Sequence, residues 1–207
     1  MSEPQGPQIY LITPQVLDWD MFPAALARVL DAAPVACLRL SLATRDEDAL
    51  MRAGDALREI AHQRDIPLVI DNHLVLAERL GLDGVHLTDA HSSIRAARKA
   101  LGADAIIGAF CGTSRHDGLT AAEAGADYVS FGPVSGNLGD GQLADMDLFA
   151  WWSEVIEVPI VAEGGLSEAL TDQLAPVADF LALGEEIWSA DDPAAHLAAV
   201  AKRLGLT

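Results

Sequence analysis

Gly125–Val134, GADYVSFGPV, decides the fold. It reads as a short strand, ADYVSF, opened by Gly-Ala-Asp and closed by Gly132-Pro133. The same unit recurs along the chain: an apolar run that stops abruptly, followed by a segment of helical period. The runs are Ile9–Thr13, Val35–Leu40, Pro67–Asp71, Gly84–Leu87, Ala105–Phe110, Ala126–Phe131, Val158–Ala162 and Ala178–Gly184. They are short, rich in Val, Ile and Leu, and mostly not strictly alternating, as strands buried on both faces are. Between them, Asp46–Arg64 carries Leu50, Leu57 and Ile60 on one stripe, and Ser92–Leu101 places Arg95, Arg98 and Lys99 toward its C-terminal half, as the helix dipole prefers. Ser167-Glu168 and Asp192-Pro193 read as further helix starts. Eight strand–helix alternations indicate an α/β protein, a (β/α)8 TIM barrel. The rival, an open doubly wound sheet, is weakened by the lack of GxGxxG after the first run. We read residues 1–207 as one barrel domain, with residues 1–8 as a flexible tail.

Composition narrows the partners. The net charge is −18, and Lys99 and Lys202 are the only lysines. Such an acidic surface repels nucleic acid and anionic lipid. No apolar run approaches the ~20 residues that cross a bilayer, and MSEPQGPQ has neither the basic nor the apolar part of a signal peptide. Cys37 and Cys111 are too few for a disulfide framework, which fits a cytoplasmic protein. The expected partner is a small molecule.

In such barrels chemistry sits at the C-terminal ends of the strands. Alternation puts Cys37, Arg39 and Ser41 on one side of the second run, with Leu38 and Leu40 on the other, facing helices. Arg39 then points into the barrel mouth and needs a carboxylate or a ligand phosphate. The third run ends Asp71-Asn72-His73, and the fourth continues into Thr88-Asp89-Ala90-His91. Acids and amides at neighbouring strand ends suit a hard cation such as Mg²⁺; Asp89 and His91 equally suit a helix cap. His86, inside a strand, reads as a hydrogen-bonded core histidine. Gly164-Gly165 before a helix start expose backbone N–H groups, a suitable anion site. Gly184-Glu185-Glu186 closes the eighth run with carboxylates that oppose a phosphate there.

The order GVHL (Gly84–Leu87), an Ile107-Gly108 turn, GADYVSFGPV and PIVAEGG (Pro159–Gly165) resembles the thiamine phosphate synthase and TenI family. The resemblance runs from IYLIT at Ile9 to the last strand. It implies a (β/α)8 barrel that joins a pyrimidine diphosphate to a thiazole phosphate, with Mg²⁺ on the pyrophosphate, and it implies a homodimer. The family's Gln-x-Arg-x-Lys on strand two falls on Cys37, Arg39 and Ser41; its Asn-Asp pair is reversed here as Asp71-Asn72. Its second metal-binding aspartate falls on His91, with Asp89 two residues earlier as stand-in, so Asp71 and Asp89 are the metal candidates. Its Thr-x-Thr-Lys falls on Asn137-Leu138-Gly139-Asp140, which makes Asn137 and Gly139 phosphate candidates and replaces the lysine by an aspartate. Its Ser-x-His is matched by Phe110 or Cys111, or by Ser114-Arg115-His116, and its last serine falls near Glu185. The expected site is therefore Arg39, Asp71, Asn72, His91 and His116 for chemistry. Cys37, Ser41, Asn137, Gly139, Gly164, Gly165, Gly184 and Glu185 are expected on the substrates. Two alternatives stand beside the synthase: a TenI-like thiazole tautomerase with His116 or His91 as base, and a barrel without catalysis that binds a cationic or neutral ligand at an acidic mouth.

Overall fold

The computed structural model describes residues 6–89, 93–136 and 142–206. Eight strands, β1 (Gln8–Ile12), β2 (Cys37–Leu40), β3 (Leu68–Asp71), β4 (Gly84–Leu87), β5 (Ile106–Phe110), β6 (Tyr128–Phe131), β7 (Ile160–Glu163) and β8 (Phe180–Leu183), close into one barrel. Each pairs in parallel with the next, and β8 returns to β1. The helices are α1 (Phe22–Ala32), α2 (Glu47–His62), α3 (Leu74–Leu80), α4 (Ile94–Leu101), α5 (Arg115–Glu123), α6 (Met146–Val155), α7 (Glu168–Leu174), α8 (Glu185–Trp188) and α9 (Pro193–Arg203). All eight expected runs contain a strand. β1 begins at Gln8, which pairs with Phe180, so the sheet takes in the last residue assigned to the tail.

Local sequence explains the starts. Asp46, Ser93, Ser114, Asp145, Ser167 and Asp192 each accept a hydrogen bond from a first-turn N–H of the helix that follows. The strands place alternate residues on two faces. Tyr10, Cys37, Val69, Tyr128, Val161 and Ala182 fill the barrel interior, while Leu38 and Leu40 join the larger core under the helices. Trp152 is fully buried there, its indole N–H donating to the Val158 carbonyl at 2.8 Å. Among the described residues no helix is long and apolar enough to cross a membrane.

Two local features differ from expectation. Ile107-Gly108, a turn in the family motif, is the middle of β5, inside the apolar run Ala105–Phe110 that reads as a strand, and Gly108 stands in register with Tyr128. A Cβ on Gly108 would overlap the Tyr128 ring, so this glycine makes room for the interior tyrosine. The second is α8, four residues inserted between β8 and α9. Ile187 is fully buried, and Trp188 donates from its indole N–H to the Ile12 carbonyl at 2.6 Å and packs on Phe22. These two residues anchor α8 to β1 and α1.

Filling the space reserved for Tyr128 must cost stability. Gly108→Ala is expected to lower the unfolding free energy in urea by about 2 kcal/mol, the usual scale of core overpacking. A change within the error of the measurement would show that the interior is not packed against this glycine.

Candidate active site

Arg39 leaves the end of β2 on the interior face and is 7% exposed. A buried guanidinium requires carboxylates, and two neighbouring strand ends supply them. Arg39 Nη1 donates to Glu163 Oε2 at 3.0 Å. Its Nε lies 3.4 Å from Asp71 Oδ1, close enough to pair charges but without hydrogen-bond alignment. Arg39 also lies over the Tyr10 ring, 5.9 Å from its centroid. Glu163, Tyr10 and Asp71 hold Arg39 charged against the opposing effect of burial. For Asp71, burial pushes the carboxyl above its ordinary value, opposed by Arg39 and by a hydrogen bond from Ser41.

Beneath this pair lies a closed polar chain. The Tyr10 and Tyr128 hydroxyls are 2.7 Å apart, and His86 Nδ1 is 2.9 Å from the Tyr128 hydroxyl, with the imidazole stacked on the Tyr128 ring. His86 is 1% exposed; burial, with Arg39 adding to it, holds its pKa well below the ordinary imidazole value. His86 is thus the neutral core histidine expected from its place inside a strand. Asp71 Oδ1, His86 Nε2 and Ser130 Oγ are buried without a hydrogen-bond partner.

Above Arg39 opens a cavity of about 380 Å³, lined by Ile12, Thr13, Ser41, Glu163, Gly165 and Glu186 among others. Gly164 and Gly165 both hold positive φ, 86° and 82°. The turn they make, with Gly184, gathers three backbone amides. All three are taken by one side chain: Glu186 Oε1 accepts from Gly165 N–H at 3.1 Å and Leu166 N–H at 2.9 Å, and Oε2 accepts from Gly184 N–H at 2.9 Å.

The structure brings together Arg39, Ser41, Gly164, Gly165, Gly184 and Glu185 around this cavity, with Asp71 behind Arg39. Other expected residues lie elsewhere. Cys37 is sealed inside the barrel below Arg39, and burial pushes its thiol up to about 12; alternation gave its side correctly but not its depth, and it does not line the cavity. His116 sits exposed in the first turn of α5 and does not line the cavity either. The Asn72 amide is used structurally: it donates to Thr88 Oγ1 at 2.6 Å, and its oxygen accepts from Thr88 N–H at 3.0 Å, tying the end of β3 to that of β4. Asp89 is exposed just beyond Thr88. His91, Asn137, Gly139 and Asp140 lie outside the described residues. The sequence gives no partner for Glu163, and it places Glu185 and Glu186 together as acids opposed to a phosphate. In the structure Arg39 neutralises Glu163. Of the two adjacent acids, Glu186 reaches the Gly165, Leu166 and Gly184 amides, and Glu185 is exposed.

Among the described residues no three His, Cys, Asp or Glu side chains gather as a metal site. Mg²⁺ is commonly held by one or two carboxylates plus substrate phosphates. Asp71, with a buried oxygen lacking a hydrogen bond, has the donor chemistry for that arrangement.

Comparison with known proteins follows the same lines. The family model described as thiamine monophosphate synthase matches residues 9–187. The chain is 41% identical over 197 residues to the thiamine-phosphate synthase of Rhodospirillum centenum, covering 94% of each. It is 37% identical over 203 residues to that of Erythrobacter litoralis, covering 94% of this chain and 95% of the relative. Among solved structures, thiamine phosphate pyrophosphorylase from Pyrococcus furiosus superposes with a TM-score of 0.84 at 22% identity, covering 96% of this chain and 95% of that one. That likeness supports the barrel.

A buried neutral histidine makes stability depend on pH. Its folded pKa lies below the ordinary 6.5, so the unfolded chain binds the extra proton and stability falls as pH drops through that value. Between pH 7.5 and 5.5 the His86 contribution to this loss is about 1.3 kcal/mol. Urea unfolding of the native chain and of His86→Gln at both pH values is expected to show a smaller loss in the variant by that amount. Equal losses would mean that the fold leaves the His86 pKa at its unfolded value.

Proposed function

Because the chain belongs to the thiamine monophosphate synthase family, we propose that it makes thiamine phosphate from a hydroxymethylpyrimidine diphosphate and a thiazole phosphate. The thiazole nitrogen attacks the methylene carbon of the pyrimidine. The carbon–oxygen bond to the diphosphate breaks, and pyrophosphate leaves with the bonding electrons. The observation that carries this reading is Arg39, a buried cation beside a cavity large enough for small substrates.

Arg39 faces the charge that develops on the leaving group, where a fixed cation in a dry site contributes most. Its partners Glu163 and Asp71 keep it oriented until a diphosphate shares it. Asp71 and Asp89 are the residues that would hold Mg²⁺, which when bound neutralises pyrophosphate charge. The same carboxylates favour the thiazolium cation of the product. The buried Tyr10–Tyr128–His86 chain fills the barrel below Arg39. The tautomerase alternative loses one of its two candidate bases, because His116 is exposed on α5 and does not line the cavity. Two buried free cysteines suit the reducing cytoplasm.

The test is an assay with both phosphorylated precursors and Mg²⁺. Thiamine phosphate is expected from the native chain, with a fall in kcat/KM of at least about 100-fold in Arg39→Gln, the scale of removing one transition-state donor. No product above background from the native chain, with the precursors bound, would assign it instead to a barrel that binds without catalysis.

A further inference from the structure

The β7–β8 end of this barrel type commonly seats a phosphate on backbone amides beside a short extra helix. Here those parts are present and already satisfied by the chain itself. Gly165, Leu166 and Gly184 point their N–H groups at one spot, and the Glu186 carboxylate occupies it with both oxygens. We propose that Glu186 sets the affinity for the phosphorylated acceptor by acting as a tethered competitor for its phosphate seat. The proposal rests on the synthase reading for the identity of that phosphate.

The charges around the seat support competition over coexistence. Among the described residues the cavity lining holds one cation, Arg39, against the carboxylates of Glu163, Glu185 and Glu186. Arg39 faces Glu163, Asp71 and, on the synthase reading, the diphosphate, so among the described residues of the lining no further cation bridges Glu186 and an incoming phosphate. The phosphate therefore enters only when the Glu186 side chain leaves. Helix α8 need not move with it, because Ile187 is buried and Trp188 is bonded to the Ile12 carbonyl. The displaced carboxylate stays attached a few ångströms away and returns at high effective concentration. Apparent affinity then falls by the fraction of time the seat is open.

A purely structural Glu186 predicts the opposite sign, since losing it would disorder the three amides and weaken phosphate binding. The full chain, Glu186→Ala and Glu186→Gln are titrated calorimetrically with inorganic phosphate and, separately, with thiazole phosphate. Glu186→Ala is expected to bind both at least tenfold more tightly than the native chain, with Glu186→Gln between them. The KM for thiazole phosphate is expected to fall in the same order, without a parallel fall in that for the diphosphate. Equal or weaker phosphate binding by a variant that unfolds at the native temperature overturns the proposal. If Glu186→Ala does not fold, the sign of the change in Glu186→Gln decides. If both phosphates bind more tightly but no variant makes thiamine phosphate, the synthase reading fails while the competition stands.

Discussion

A guanidinium at the end of β2, turned inward by strand alternation, cannot remain buried alone. The desolvation of a charge costs more than a single weak contact returns, so the surroundings must supply opposite charge and hydrogen bonds. Arg39 obtains them from β3 and β7, through Asp71 and Glu163, and from the face of Tyr10 on β1. That one requirement brings groups from four strands to a common point. It also explains why an acidic chain can present a cationic group at its mouth without a single lysine lining the cavity.

Much of this was legible beforehand, for definite reasons. The apolar runs marked every strand because a parallel strand buried on both faces leaves an uninterrupted signal. The direction of Arg39 followed from period two, and so did the packing of Leu38 and Leu40 under helices. The interior position of His86 followed from its place in GVHL. Other features left no such trace. A helix of four residues such as α8 carries too little period to be seen, so the sequence sets Glu185 and Glu186 side by side without showing which one reaches the amides. Pairing between Arg39 and Glu163 spans 124 positions, beyond what local pattern encodes. His116 was placed by aligning a loop to a motif, and the helix that begins at Arg115 carries it to an exposed position. The family motif puts Gly108 at a turn, and the sequence shows a glycine but not the tyrosine it faces.

The mouth divides its electrostatics between two devices. On the β2–β4 side a buried arginine and acids suit a diphosphate with its metal. On the β7–β8 side three amides converge on the Glu186 carboxylate, the place we propose for a phosphate. Backbone amides serve either anion equally well by geometry, so occupancy becomes a matter of charge and proximity.

The central claim is that Arg39 is the cation for the leaving group. A crystal structure of the protein with Mg²⁺ and the pyrimidine diphosphate tests it most directly. The account predicts diphosphate oxygens within hydrogen-bond distance of the Arg39 guanidinium, with Asp71 facing the metal. A diphosphate bound away from Arg39, with the Arg39–Glu163 and Arg39–Asp71 pairs unchanged, would contradict it.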